Sequence, residues 1–112
     1  MKYLCLVYLS ADKLHAVHDR ECKACGDDMR QRGIMIAAEA LQPIETATTV
    51  RVRGGKLSVT DGPFAETKEQ LAGFYLIDAR DLNDAINVAS KIPPAREGSV
   101  EVRPVRALMP DS

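Results

Sequence analysis

The run Lys2-Tyr3-Leu4-Cys5-Leu6-Val7-Tyr8-Leu9 is apolar at its odd and even positions alike, and this constrains the fold more than any other feature of the chain. Successive side chains of a β-strand point to opposite faces, so such a strand needs cover on both sides of its sheet. The chain must therefore build two covering layers, or build one and borrow the other. With 112 residues, a single domain over 1–112 is expected, long enough to bury a core without disulfide staples.

The rest of the chain supplies one layer. Ser10 can cap a helix whose stripe runs through Leu14, His18, Cys22, Cys25 and Met29 and ends near Gly33. Ile34 to Ala38 returns as a strand that ends near Pro43. Thr49 to Arg53 and Lys56 to Thr60 then alternate on either side of Gly54-Gly55, the signal of a two-residue hairpin turn. Leu71 to Ile77 forms another strand, and Asp81 caps a helix with Leu82, Ala85, Ile86 and Ala89 at core spacing, stopped by Pro93-Pro94. Ser99 to Arg103 closes the series. The order is βαβ, hairpin, βαβ, the pattern of a ferredoxin-like α+β fold: an antiparallel sheet with two helices on one face. One helical layer leaves the other sheet face bare, and a bare apolar face marks an interface. A homodimer packed sheet to sheet is expected.

Composition excludes several functions. A net charge of −1 provides no basic field for nucleic acid. No apolar run approaches the roughly 20 residues of a membrane span. The N-terminus enters a strand-like run without a signal-peptide pattern, so the expected location is cytoplasmic. Cys5, Cys22 and Cys25 are an odd set, which favours reduced thiols. His15, His18, Cys22 and Cys25 are all legitimate metal ligands, but along a helix they span about 15 Å, too far for one tetrahedral ion. The stripe reads as core packing, and neither a metal nor a cofactor is expected.

The motif that carries chemistry is Asp61-Gly62-Pro63-Phe64-Ala65-Glu66-Thr67-Lys68-Glu69. Gly62 opens backbone angles closed to other residues and Pro63 fixes its own φ, so the turn is stiff and Asp61 is held in a set direction. Phe64 is expected to anchor the loop in apolar surroundings, with Glu66, Lys68 and Glu69 placing opposite charges within reach of one another. Two readings stand side by side: a structural turn in which Asp61 accepts backbone N–H bonds, and a site held on a rigid scaffold. Glu101 and Arg103 alternate with Val100 and Val102, so they point to the bare face if the valines face the helices. Both are ligand-binding candidates, as is Glu39.

This motif resembles the signature of the DGPF subgroup of YCII-related proteins. The resemblance extends to Gly33, to Thr48 through Gly55, to Gly73-Phe74-Tyr75 and to Gly98 through Val105. It implies a dimeric α+β barrel made of two ferredoxin-like subunits, with a cavity between sheet and loops and an activity not yet determined. It also implies an acid–base pair of histidine and aspartate, for which His18 and Asp61 are the candidates. The expected function is a small-molecule enzyme using Asp61 with His18, Glu66 or Lys68 in a dimer cavity, on a small polar or anionic substrate that Glu39, Phe64, Glu69, Glu101 and Arg103 help to hold. The alternative is a ligand-sensing module without turnover, tied to an extracytoplasmic-function sigma factor.

Overall fold

The computed structural model describes residues 1–109. Its elements are β1 (Lys2–Ser10), α1 (Asp19–Gln31), β2 (Met35–Ala40), β3 (Thr48–Arg53), β4 (Lys56–Asp61), β5 (Glu69–Asp78), α2 (Leu82–Ala89) and β6 (Ser99–Pro104). The main sheet has the order β2-β5-β1-β6, and every neighbouring pair in it is antiparallel. With the two βαβ units, this is a ferredoxin-like α+β fold. Hairpin β3-β4 forms a separate two-stranded sheet inserted between the halves. Gly54 and Gly55 take φ of 56° and 77° at its turn, the left-handed pair a tight hairpin of matching twist requires.

Register assigns the two faces. Cys5 lies opposite Tyr75 and Val102, Val7 opposite Val100, and Tyr3 opposite Ile77. These side chains form the core with Met29 of α1, with Ala85 and Ala89 of α2, and with Ile92; Cys5, Ile77 and Ala85 are fully shielded from solvent. Leu4 lies opposite Leu76 and Arg103, and Leu6 opposite Phe74 and Glu101. Those residues occupy the face without helices. The doubly apolar β1 is thus central, covered on one face by α1 and α2, while its other face carries no helix among the described residues.

The first helix departs from the sequence expectation. A 3-10 turn, Ala11–Lys13, follows β1, and α1 starts only at Asp19. The Ser10 hydroxyl donates to Asp12 Oδ1 at 2.6 Å and makes no cap hydrogen bond, so it leaves the orphan donors of a helix there unmet. His18 takes the cap instead: its backbone is extended, and its Nδ1 accepts from the Arg20 N–H at 3.1 Å. Val17, 6% exposed, is buried by this loop. The stripe from Leu14 to Met29 is therefore not one helical face, because only its Cys22, Cys25 and Met29 portion is helical. The second helix begins as expected, with Asp81 Oδ1 accepting from the Asp84 N–H at 2.8 Å.

Candidate functional site

The fold leaves a cavity of about 860 Å³ between α1, the loop before it, and the ends of β2 and β5. Its apolar lining includes Val7, Leu9, Leu14, Val17, Met35, Ile44 and Leu71. Its polar lining includes Tyr75, Cys22, His15, Asp19 and Glu39, with Gln42, Gln70 and the Lys23, Asp27 and Arg30 side chains of α1. Local chain geometry makes the space. β1 shifts register between Val7 and Tyr8, where Gly73 is the partner of Val7 and Leu71 that of Tyr8. Gly73 lets β2 approach closely, since a Cβ there would come within 2.8 Å of the Glu39 carbonyl oxygen. The residues from Ala40 to Ile44 are further lining.

Tyr75 is the group best placed for recognition. The residue is only 9% exposed, and among the described residues its hydroxyl has no hydrogen-bond partner. No described side-chain nitrogen or oxygen is both sealed from solvent and unpaired, so this hydroxyl stays accessible from the cavity that Tyr75 lines. Burial pushes its pKa from 10.0 up to about 12, with smaller contributions from Cys25 and Cys22. It is a neutral donor at physiological pH. Burial also raises the Cys22 and Cys25 thiols, with neighbouring acidic groups adding to it. Neither is an activated thiolate. Cys25 Sγ lies 3.7 Å from the Lys91 carbonyl oxygen, and all three cysteines are free. Among the described residues no group of three or more His, Cys, Asp or Glu could hold a metal ion.

On α1, Lys23 and Arg30 both pair with Asp27, at 3.1 and 3.4 Å. Their charges are thereby balanced beside the cavity they help to line. His15, Asp19 and Glu39 have no ion pair or side-chain hydrogen bond among the described residues. With Gln42 and Gln70, which also line the cavity, they are free to meet a polar substituent.

The residues singled out from sequence fall in three places. Asp61 ends β4 opposite Thr48 on the separate hairpin and is exposed. Its loop is fixed through Gly62, whose N–H donates to Ala47 O at 2.8 Å and whose carbonyl accepts from Thr49 Oγ1 at 2.8 Å. Gly62 has φ 102°, so the stiff turn is real, but the Ala47 carbonyl and the Thr49 hydroxyl hold it, and among the described residues the Asp61 carboxylate makes no hydrogen bond or ion pair. His18 caps α1, and no hydrogen bond or ion pair joins it to Asp61. Phe64 does not anchor the loop within the chain: it is 81% exposed. The ring is left in solvent. Glu66 and Lys68 are exposed, and no ion pair joins them. Lys68 makes the smallest contribution to lowering the Asp12 carboxyl, which the Ser10 hydroxyl hydrogen bond lowers most. None of Asp61, His18, Glu66 and Lys68 lines the cavity.

Glu101 and Arg103 share the open face with Leu4 and Leu6, and Arg103 Nε stands 3.6 Å from Glu101 Oε2. Glu69 is near the same edge, where its Oε1 accepts from Ser99 Oγ at 2.7 Å. Glu39 lies opposite Phe74 on the open side of β5 and also lines the cavity, whose mouth passes over the end of β2. Tyr75 was missed because an aromatic residue in an apolar strand reads as core. The one available signal was a hydroxyl on the core face of a strand, which needs a partner when buried.

A helix-backed four-stranded sheet carrying a large, mostly apolar cavity with a few polar groups defines a class: a small ferredoxin-like α+β domain with a ligand-sized pocket. The particular family follows from comparison, since the sequence profile of the YCII-related domain matches residues 1–109. The chain belongs to the YCII-related family. It is similar to the uncharacterised protein R00369 of Rhizobium meliloti (strain 1021), with 49% identity over 72 residues, 62% of this chain. That stretch spans 58% of the relative's length. Among the described residues, no helix is long and apolar enough to cross a membrane.

Proposed function

We propose that this YCII-related protein, of the DGPF type, binds a small organic molecule in the cavity beneath α1, as a homodimer joined through the open sheet faces. The observation that carries the reading is the Tyr75 hydroxyl, nearly buried and unpaired, in a cavity of about 860 Å³ with a mostly apolar lining. The hydroxyl has no partner among the described residues, and a bound acceptor would take the place of cavity water on it. The ligand has an apolar body, which the floor of Leu9, Val17 and Met35 covers, and one oxygen or nitrogen that accepts from Tyr75. Binding without turnover is favoured because the innermost polar groups, Tyr75 and Cys22, stay protonated at neutral pH. In that form a ligand-sensing module reports occupancy to a partner, and a sigma factor of the extracytoplasmic-function type is the partner the resemblance suggests.

One observation favours the enzyme reading: His15, Asp19 and Glu39 line the same cavity with no partners of their own. They offer proton-transfer groups at the mouth, in place of Asp61 and His18. Thermal-shift and calorimetric screening of compounds with an aromatic or branched body and one acceptor oxygen tests both readings. Hits should raise the melting temperature and bind Tyr75→Phe about 2–10-fold more weakly, the weight of one hydrogen bond. Equal affinity for Tyr75→Phe would remove the basis of the proposal. Loss of binding in Asp61→Asn, with Tyr75→Phe unaffected, would move the site to the hairpin base. Conversion of a bound compound, abolished in His15→Ala or Glu39→Gln, would establish turnover.

A further inference from the structure

The wall that α1 gives the cavity lacks a side chain near its middle. Gly26 lies inside α1, is buried, and lines the cavity. A glycine in a helix interior is destabilising relative to alanine, because it loses more backbone freedom on folding. Two things ordinarily require one there: a backbone angle closed to other residues, or no room for a Cβ. Gly26 shows neither. Its φ is not positive. Beyond its chain neighbours and the backbone of its own helix, a Cβ would have one described heavy atom within 4 Å, Met35 Cε at 3.9 Å. That is an ordinary contact, made with the end of a flexible side chain.

The sheet side of the cavity repeats the pattern. Gly73 of β5 is the partner of Val7, a core residue, so it lies on the face toward the helices, and it too lines the cavity. Where a helix packs on a sheet, side chains of both elements fill the gap to close-packed density. Here each contributes bare backbone to a space of about 860 Å³. An independent sign that this space takes a ligand stands two residues along β5: Tyr75 is 9% exposed, and its hydroxyl has no partner among the described residues.

We infer that Gly26 sets the shape of the ligand: a flat ring lies against the bare backbone of α1, in the place a side chain would take, with its one acceptor oxygen at the Tyr75 hydroxyl. The inference rests on the binding reading above and adds the class of ligand, an aryl ketone or a compound of that shape and polarity. Bare backbone lets a ligand approach more closely than any side chain would. A ring that does so gains apolar contact over its whole face.

The test is a titration of amide NMR shifts with acetophenone and with cyclohexyl methyl ketone, which share a carbon skeleton and a ketone oxygen but differ in ring thickness. Wild type, Gly26→Ala, Gly26→Val and Tyr75→Phe are compared. Wild type should bind acetophenone several-fold more tightly than the puckered ketone, with a shift at the Gly26 amide. Gly26→Ala should weaken acetophenone about threefold and Gly26→Val about tenfold or more, since each fills the ring's place. Without ligand, Gly26→Ala should melt a few degrees above wild type. A lower melting temperature in Gly26→Ala would show that packing requires the glycine, and overturns the inference. Unchanged affinity in both Gly26 variants overturns it too, while weakening in Tyr75→Phe would leave the cavity reading standing. Equal or tighter binding of cyclohexyl methyl ketone overturns the assigned shape. If neither ketone binds wild type the inference falls, and the Tyr75→Phe comparison on the screened compounds decides the binding reading separately. Gly26→Ala carries the test should Gly26→Val not fold.

Discussion

Raising the pH offers a direct measure of how tightly the sheet is sealed. Cys5 lies in the middle of β1, fully shielded from solvent, and burial pushes its thiol from 9.0 up to about 11. The unfolded chain gives up this proton near pH 9, whereas the folded chain keeps it for about two pH units longer. Between those values the native state binds more protons, so stability falls as pH rises. The contribution is complete below pH 9 and gone once pH has passed through 11. At about 1.4 kcal/mol for each pH unit, the loss is on the order of 2–3 kcal/mol. Urea unfolding of wild type and Cys5→Ala under reducing conditions at pH 8, 9.5 and 11 measures it. Cys5→Ala starts less stable because it leaves a small void, but its profile should be flatter than that of the wild type by about that amount. Tyr75, Cys22 and Cys25 remain in both proteins and affect both profiles. Parallel profiles would refute the premise that Cys5 is ionised only at the expense of the fold.

Two further substitutions probe what shapes the scaffold. In Gly98→Ala the added Cβ would run into the Tyr8 carbonyl oxygen and sit 2.9 Å from Leu9 Cδ2. Since backbone cannot yield cheaply there, a loss of about 3 kcal/mol or more is expected in thermal melts, and an unchanged melting temperature would contradict the close approach. Asp81→Ala removes the side-chain acceptor for the Asp84 N–H and should cost about 1 kcal/mol in urea unfolding. Asp81→Asn keeps the cap and should recover most of that loss.

The legible parts of the chain were those governed by local periodicity and turn chemistry. Apolar runs marked β1, β2 and β5, alternation with the Gly54-Gly55 pair marked the hairpin, and Asp81 located α2, because each signal acts over a few residues. The start of α1 was misread at Ser10. A serine followed two residues later by an aspartate satisfies itself, and only the packing of Val17 showed that the chain stays irregular until His18. The alternation of Glu101 and Arg103 with Val100 and Val102 gave their common face. The cavity had no local signal: Gly73 and Tyr75 of β5, Cys22 of α1 and His15 of the loop before it come together only when the helix packs on the sheet.

By itself, the sequence determined the order of elements, the antiparallel α+β class and the need for cover on both faces of β1, since these follow from side-chain periods of 2 and 3.6 residues. It also marked the stiff Asp61-Gly62 turn. The tertiary structure decided which groups share a space. It set Asp61 and Phe64 out on the hairpin, assigned His18 to a helix cap, and put Tyr75 beside a cavity. The physical reason is that burial and proximity are properties of distant segments packed together. A local pattern specifies which face a side chain takes, but not what stands opposite it.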